Sequence, residues 1–237
     1  MDRSAWQELV DQLRGVQYEV WGMAPGSPVH RLDFDAGLMD DEIAAVEFDD
    51  GLTDAEVAAV ENKFVFRFPP DLRAFLQTAQ PRGPKFPDWR SGDEAILRDW
   101  LNLPREGVLF DIEHNGFWLD EWGPRPDSLE KALRMGSDLI AAAPKLIPIY
   151  SHRMMPDEPH LAGNPVFSVH QTDIILYGFN LADYLRQEFT LPGREPRPAE
   201  VRSIRFWDID RFLDVRWASG SCVFDNRRGV LPEPDPS

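Results

Sequence analysis

Apolar positions along this chain follow two rhythms. Near the start they recur every three or four residues. Trp6, Leu9, Val10 and Leu13 share one face of a helix predicted over 4–14, with Ser4 and Gln7 at capping-box spacing. From Gly51 the rhythm sharpens. Thr53 and Glu56 form a second capping box, and Val57, Val60 and Phe64 a stripe, which predicts a helix over 54–63. Pro69 and Pro70 then close one element and open another, whose buried face is Leu72, Phe75, Leu76 and Ala79.

The period changes at "GVLFDIEHNGFWLDEWG". Residues 109–114 alternate like a strand, and Asn115-Gly116 is a tight-turn signal, so the stretch predicts a β-hairpin. "SLEKALRMGSDLIAAAPK" returns to helical spacing and stops at Pro144. "KLIPIYS", "PVFSVH" and "DIILYG" are short β-branched or aromatic strands. "NLADYLRQEF" is a helix after Asn180, and "VRSIRFWDIDRFLDV" reads as a strand followed by a short helix. Residues 22–50 are weakly patterned. "GMAPGSP" is a loop, "VHRLDFD" an edge strand, and "DDEIAAVEF" looks like "DAEVAAVENKF" without making a repeat architecture. Helices first, strands in the middle and a helix to close predict an α+β fold: N-terminal helices packed on an antiparallel or mixed β-sheet.

Composition fills in this picture. At 237 residues and 43% hydrophobic, with eight Trp and fifteen Phe, the chain has enough apolar mass for a sizeable core. Its net charge of −16 argues against nucleic acid and anionic membrane as partners and favours a basic protein. Residues 1–50 hold twelve acids and three arginines, which is −9 of that total. That segment is either a solubilising face or a steering surface. Cys222 is the single cysteine, so no internal disulfide can form. No apolar run reaches the length of a membrane span, and the N-terminus lacks a signal-peptide core. A soluble cytoplasmic protein is expected.

Three groups of residues carry candidate chemistry. His152, His160 and His170 fall within twenty residues, but spacings of eight and ten are not a zinc pattern and no cysteine lies nearby, so no metal or other cofactor is expected. Asp111 and Glu113 on one strand face would stand about 7 Å apart, the separation of an inverting glycosidase pair. A solvated strand face, with Phe110, Ile112 and His114 turned inward, produces the same spacing. Trp118, Glu121 and Trp122 set aromatics among acids, which suits anchoring of a basic partner, although large aromatics are also the usual core residues. G-x-S-x-G, P-loop and dinucleotide-binding motifs are missing, and Cys222 reads as a buried thiol.

Four segments together resemble a known family. Thr53–Glu56, Phe68-Pro69-Pro70 and "DLRAFL", then "FDIEHNGFWLDEWGPRP", "LIPIYSHRMMPDEPHLAGNPVFSVHQTDIILYG" and "LADYL", are similar in order to a bacterial branch of the SUKH superfamily, also called the Smi/Knr cell-wall-regulator family. "QTAQPRG" departs from the Asn-Gly-Gly that many relatives carry after the second helix. The resemblance implies a SUKH-like core at 51–190; outside it lie an acidic extension at 1–50 and a C-terminal appendage at 191–237, expected to pack on that core. It also implies an α+β protein-binding module, not an enzyme. The concrete expectation is an immunity protein that covers a basic toxin domain, with Asp111, Glu113, Trp118, Glu121, Trp122, His152 and Arg153 as contact residues. A solitary regulator or scaffold of envelope or stress physiology, and a hydrolase using Asp111 and Glu113, are the alternatives.

Overall fold

The computed structural model describes residues 1–20, 42–194, 196 and 198–207. Its first helix, α1 (Arg3–Leu13), starts earlier than the capping pattern predicts, because Asp2 and not Ser4 is its N-cap: the Asp2 carboxylate accepts the Ala5 N–H at 2.9 Å. Trp6, Leu9, Val10 and Leu13 are buried, as their spacing requires. The second helix, α2 (Asp54–Phe64), has its capping box complete. The Thr53 hydroxyl accepts the Glu56 N–H at 3.2 Å, and the Glu56 carboxylate accepts the Thr53 N–H at 2.7 Å. Helix α3 (Pro70–Thr78) begins on its prolines and buries Leu72, Phe75 and Leu76.

Two small antiparallel ladders join the beginning of the chain to this helical layer. Strand β1 (Gln17–Val20) pairs with β2 (Glu42–Ala45), and β3 (Glu47–Asp50) pairs with β4 (Ala79–Arg82), directly after α3. Helix α1 packs on α3, with the Trp6 and Phe75 rings 5.8 Å apart. The described part of residues 1–50 is therefore woven into the same core as α2 and α3. The look-alike segments part company here: "EIAAVEF" forms β2 and β3 around buried Val46, while "DAEVAAVENKF" forms α2.

The predicted hairpin is the main correction. Residues 107–114 are the last two turns of α4 (Glu94–His114), a 21-residue helix capped by Asp93. Its buried stripe is Leu97, Trp100, Leu103, Pro104, Gly107, Val108, Asp111 and Ile112. That is helical spacing throughout, hidden because three of the eight positions are proline, glycine and aspartate. A 3₁₀ turn (Asp120–Trp122) follows, then α5 (Leu129–Ala141), capped by Ser128. Helix α5 runs back along α4. Arg105 donates to the Ser137 hydroxyl at 3.0 Å, and Gly136 faces the side chains of Leu109 and Ile112.

The strand-rich part is an antiparallel meander in chain order: β5 (Leu146–Tyr150), β6 (Arg153–Pro156), β7 (Val166–His170) and β8 (Asp173–Gly178). Strand β6, Arg-Met-Met-Pro, lies in a stretch that gives no strand signal. All five residues of β5 are buried, so this strand is covered on both faces. Helix α4 packs on β5 and β7, and α6 (Leu181–Glu188, capped by Asn180) packs on β8. The fold is α+β.

Beyond α6, Ile204 and Trp207 are buried, and the Trp207 indole N–H donates to the Pro144 carbonyl at 2.6 Å. Residues 201–207 contain no strand. The "GMAPGSP" loop, the "VHRLDFD" strand, the helix expected after 207, Cys222 and the "LPEPDPS" tail lie outside the described residues.

Candidate functional site

The two carboxylates offered as a hydrolytic pair do not share a face. On a helix, neighbours two positions apart diverge by about 200°, and Asp111 and Glu113 do so. Asp111 is 1% exposed and Glu113 lies in solvent. The Asp111 carboxylate is committed internally. Oδ2 accepts the Thr172 N–H at 2.9 Å and the Thr172 hydroxyl at 2.6 Å, and Oδ1 accepts the Asn115 side-chain amide at 2.5 Å. This cross-link ties α4 to the β7–β8 turn. It is reinforced one turn earlier at Gly107, where a Cβ would lie 2.6 Å from the Gln171 Cα. Gln171 itself has φ +54°, so the turn is held in a left-handed conformation against the helix.

The residues after Asp111 form one end of the α4–α5 pair. Arg125 reaches back to the Ile112 carbonyl at 3.0 Å, closing the last turn of α4. Trp118 donates its indole N–H to the Gly123 carbonyl at 2.8 Å and meets Trp122 edge-on, with ring centroids 5.1 Å apart. Trp122 is buried against Phe117 and Phe206, so it is a core residue. Trp118 is half-buried. The outward groups at this end are Glu113, Asp120, Glu121, Asp127, Glu130 and Phe110, which is 44% exposed with its ring 4.4 Å from that of His114. Between Glu106 and Glu130 the chain has seven acidic residues and one arginine.

Elsewhere much of the acidic charge is already answered. Along β3 and the start of α2, Asp49 pairs with Arg82 at 3.2 Å, Asp54 with Arg73 at 2.7 Å and Glu56 with Arg90 at 2.6 Å. Arg90 and the Thr53 donors hold the Glu56 carboxyl down at about 2. At the α4–α5 end, His114 lies 3.8 Å from Glu113 and Arg134 pairs with Glu130 at 3.6 Å, both long and exposed.

His152 and Arg153 sit elsewhere, at the start of β6. The Arg153 guanidinium lies 3.8 Å over the Tyr177 ring, donates to the Ser168 hydroxyl at 2.8 Å, contacts His152 Nε2 and pairs with Glu188 at 3.4 Å. Both members of that pair are largely buried, and burial raises the pKa of Glu188. Burial, then the nearby Arg153 charge, pushes His152 down to about 4, so it is neutral at pH 7. These groups brace β6 against β7, β8 and α6. Exposed His170 is close enough to His152 to act on it electrostatically. His160 instead faces Glu61 and Arg67 beside α2, and burial of its ring lowers its pKa. Among the described residues, no three His, Cys, Asp or Glu side chains come together in a way that could hold a metal ion. No described helix is long and apolar enough to cross a membrane.

Of the seven predicted contact residues, Asp111, Glu113, Trp118, Glu121 and Trp122 fall at one end of the α4–α5 pair, and two of these five are buried. His152 and Arg153 belong to the sheet. Phe110 and Asp120 complete the exposed end and escaped sequence reading because the strand assignment turned Phe110 inward. A comparison with protein-family models finds no match, and comparisons with curated proteins and with solved structures find none either.

Proposed function

We propose that this chain is a non-enzymatic, cytoplasmic protein-binding module that captures a basic protein domain on the acidic end of the α4–α5 pair. The observation that carries this reading is the set of exposed acids at that end, Glu113, Asp120, Glu121, Asp127 and Glu130, with Phe110 exposed among them. Exposed carboxylates speed encounter with a cationic surface, and a central aromatic supplies contact area that excludes water. Glu113, Glu121, Asp120 and Phe110 make the contacts, while Asp111 and Trp122 hold the surface in shape from behind. The resemblance to the SUKH superfamily favours an immunity protein, with occlusion of a toxin's basic cleft as its mechanism.

The test is affinity capture from the native cell's lysate, followed by binding kinetics with the purified partner. A stoichiometric basic partner, whose association rate falls with added salt and with Glu113→Lys and Glu121→Lys, supports the proposal. A partner bound equally well by these variants places the interface elsewhere.

A further inference from the structure

The other end of α4 carries the opposite chemistry. The first half of α4, the last residues of α2 and α5 and the start of β5 surround a concavity of about 320 Å³. Its walls are Phe64, Leu101, Pro104, Ile140, Leu146 and the Trp207 ring. Three cations line it, Arg98, Arg105 and Lys145, and among the described residues no carboxylate does, in a chain whose net charge is −16.

The three cations are not equivalent. Glu94 holds Arg98 at 2.7 and 2.9 Å and also pairs with Lys63 at 3.0 Å, so the Arg98 charge is answered. Lys145 donates its amine to the Phe64 and Val65 carbonyls, capping α2 and offsetting the partial negative charge of that helix end. Two carbonyls leave an ammonium one further N–H. Arg105 forms a single hydrogen bond, to the neutral Ser137 hydroxyl, and no carboxylate pairs with it among the described residues. Arg105 and Lys145 are both exposed, so they stand where the apolar walls meet solvent.

We infer that this pocket is a binding site for a small amphipathic anion, one short apolar chain or ring bearing a single carboxylate or phosphate. The apolar body lies between Leu101, Ile140 and Trp207, and the head meets Arg105, with Lys145 supplying its remaining N–H. The volume is near the lower limit of ligand pockets, which fits one chain and excludes a two-chain lipid. A guanidinium fork matches the oxygens of either head group. The surrounding negative charge adds selectivity, because an anion finds its favourable potential at this pocket and is repelled elsewhere.

The experiment is calorimetric titration of the full chain with four ligands sharing a decyl tail: decanoate, decyl phosphate, decanol and decyltrimethylammonium, each below its micelle concentration. Saturable binding of decanoate or decyl phosphate, tighter than decanol and with no binding of the cation, is expected, and the stronger of the two identifies the head group. Arg105→Gln should weaken the anion about tenfold and leave decanol unchanged. Ala141→Trp, at an exposed lining position, should block both. Circular dichroism checks that each variant is folded. Absence of saturable anion binding, decanol bound as tightly as the anions, or anion binding unchanged in both variants would overturn the assignment. None of this requires the protein partner proposed above.

Discussion

The two ends of α4 are built from one helix and have opposite surfaces. Toward its start, Arg98 and Arg105 line an apolar pocket in which no described residue is a carboxylate; toward its end, Glu113 and the turn beyond it carry acids around an exposed phenylalanine. Arg105 and Glu113 are eight residues apart, about 12 Å along the helix. That exceeds the screening length at physiological salt, so the two surfaces act on ligands independently. Gly107 and Asp111, between them, are spent on holding the helix to the sheet. Net charge alone would describe the whole molecule as acidic, whereas helix position separates a cation-lined pocket from an acid-lined knob.

The largest expected effect comes from the centre. Asp111→Ala strips acceptors from the buried Thr172 N–H and hydroxyl, and should cost about 3 kcal/mol of stability in a urea titration. Both ends should suffer together, since both hang on the same joint. Gly107→Ala forces a methyl against the Gln171 backbone and should cost about 2 kcal/mol by the same measurement. If it is silent, the helix and the turn are not locked at this point. The end-specific changes should be nearly invisible to stability, within about 0.5 kcal/mol, because they lie in solvent. Glu113→Lys with Glu121→Lys should slow partner association about tenfold at low salt and leave decanoate binding unchanged. Arg105→Gln should do the reverse. A variant at one end that alters both ligands would show that the separation is not real.

The fold class was legible in the sequence, and so were the elements with a cap or strong periodicity. The pair "EIAAVEF" and "AEVAAVENKF" shows why caps matter. Their local patterns are nearly the same, yet only the second follows a Thr53–Glu56 box, and only the second is a helix. Helix α4 was illegible because its buried stripe uses Pro104, Gly107 and Asp111 where Leu or Val would have marked the period. Asp111 is buried because Thr172, sixty-one residues away, supplies donors, and a long-range partner leaves no local trace. The candidate site suffered from the same error. Its acids and tryptophans were found as a group, but the strand assignment placed Asp111 outside and Phe110 inside. The pocket at the other end was not anticipated, since its lining comes from four separate elements.

Asn115 gives the joint a clock. Its side-chain amide supports Asp111 at 2.5 Å, and the residue that follows it is Gly116, with φ +69°. A glycine in that place leaves the next backbone nitrogen unshielded, the setting in which asparagine side chains cyclise and hydrolyse most readily. Conversion to aspartate would replace a donor to Asp111 with a second carboxylate at contact distance, and like charges so close oppose one another. Chemical ageing of this protein would therefore begin at the helix–sheet joint, and old preparations would lose stability as a carboxylate accumulated at position 115.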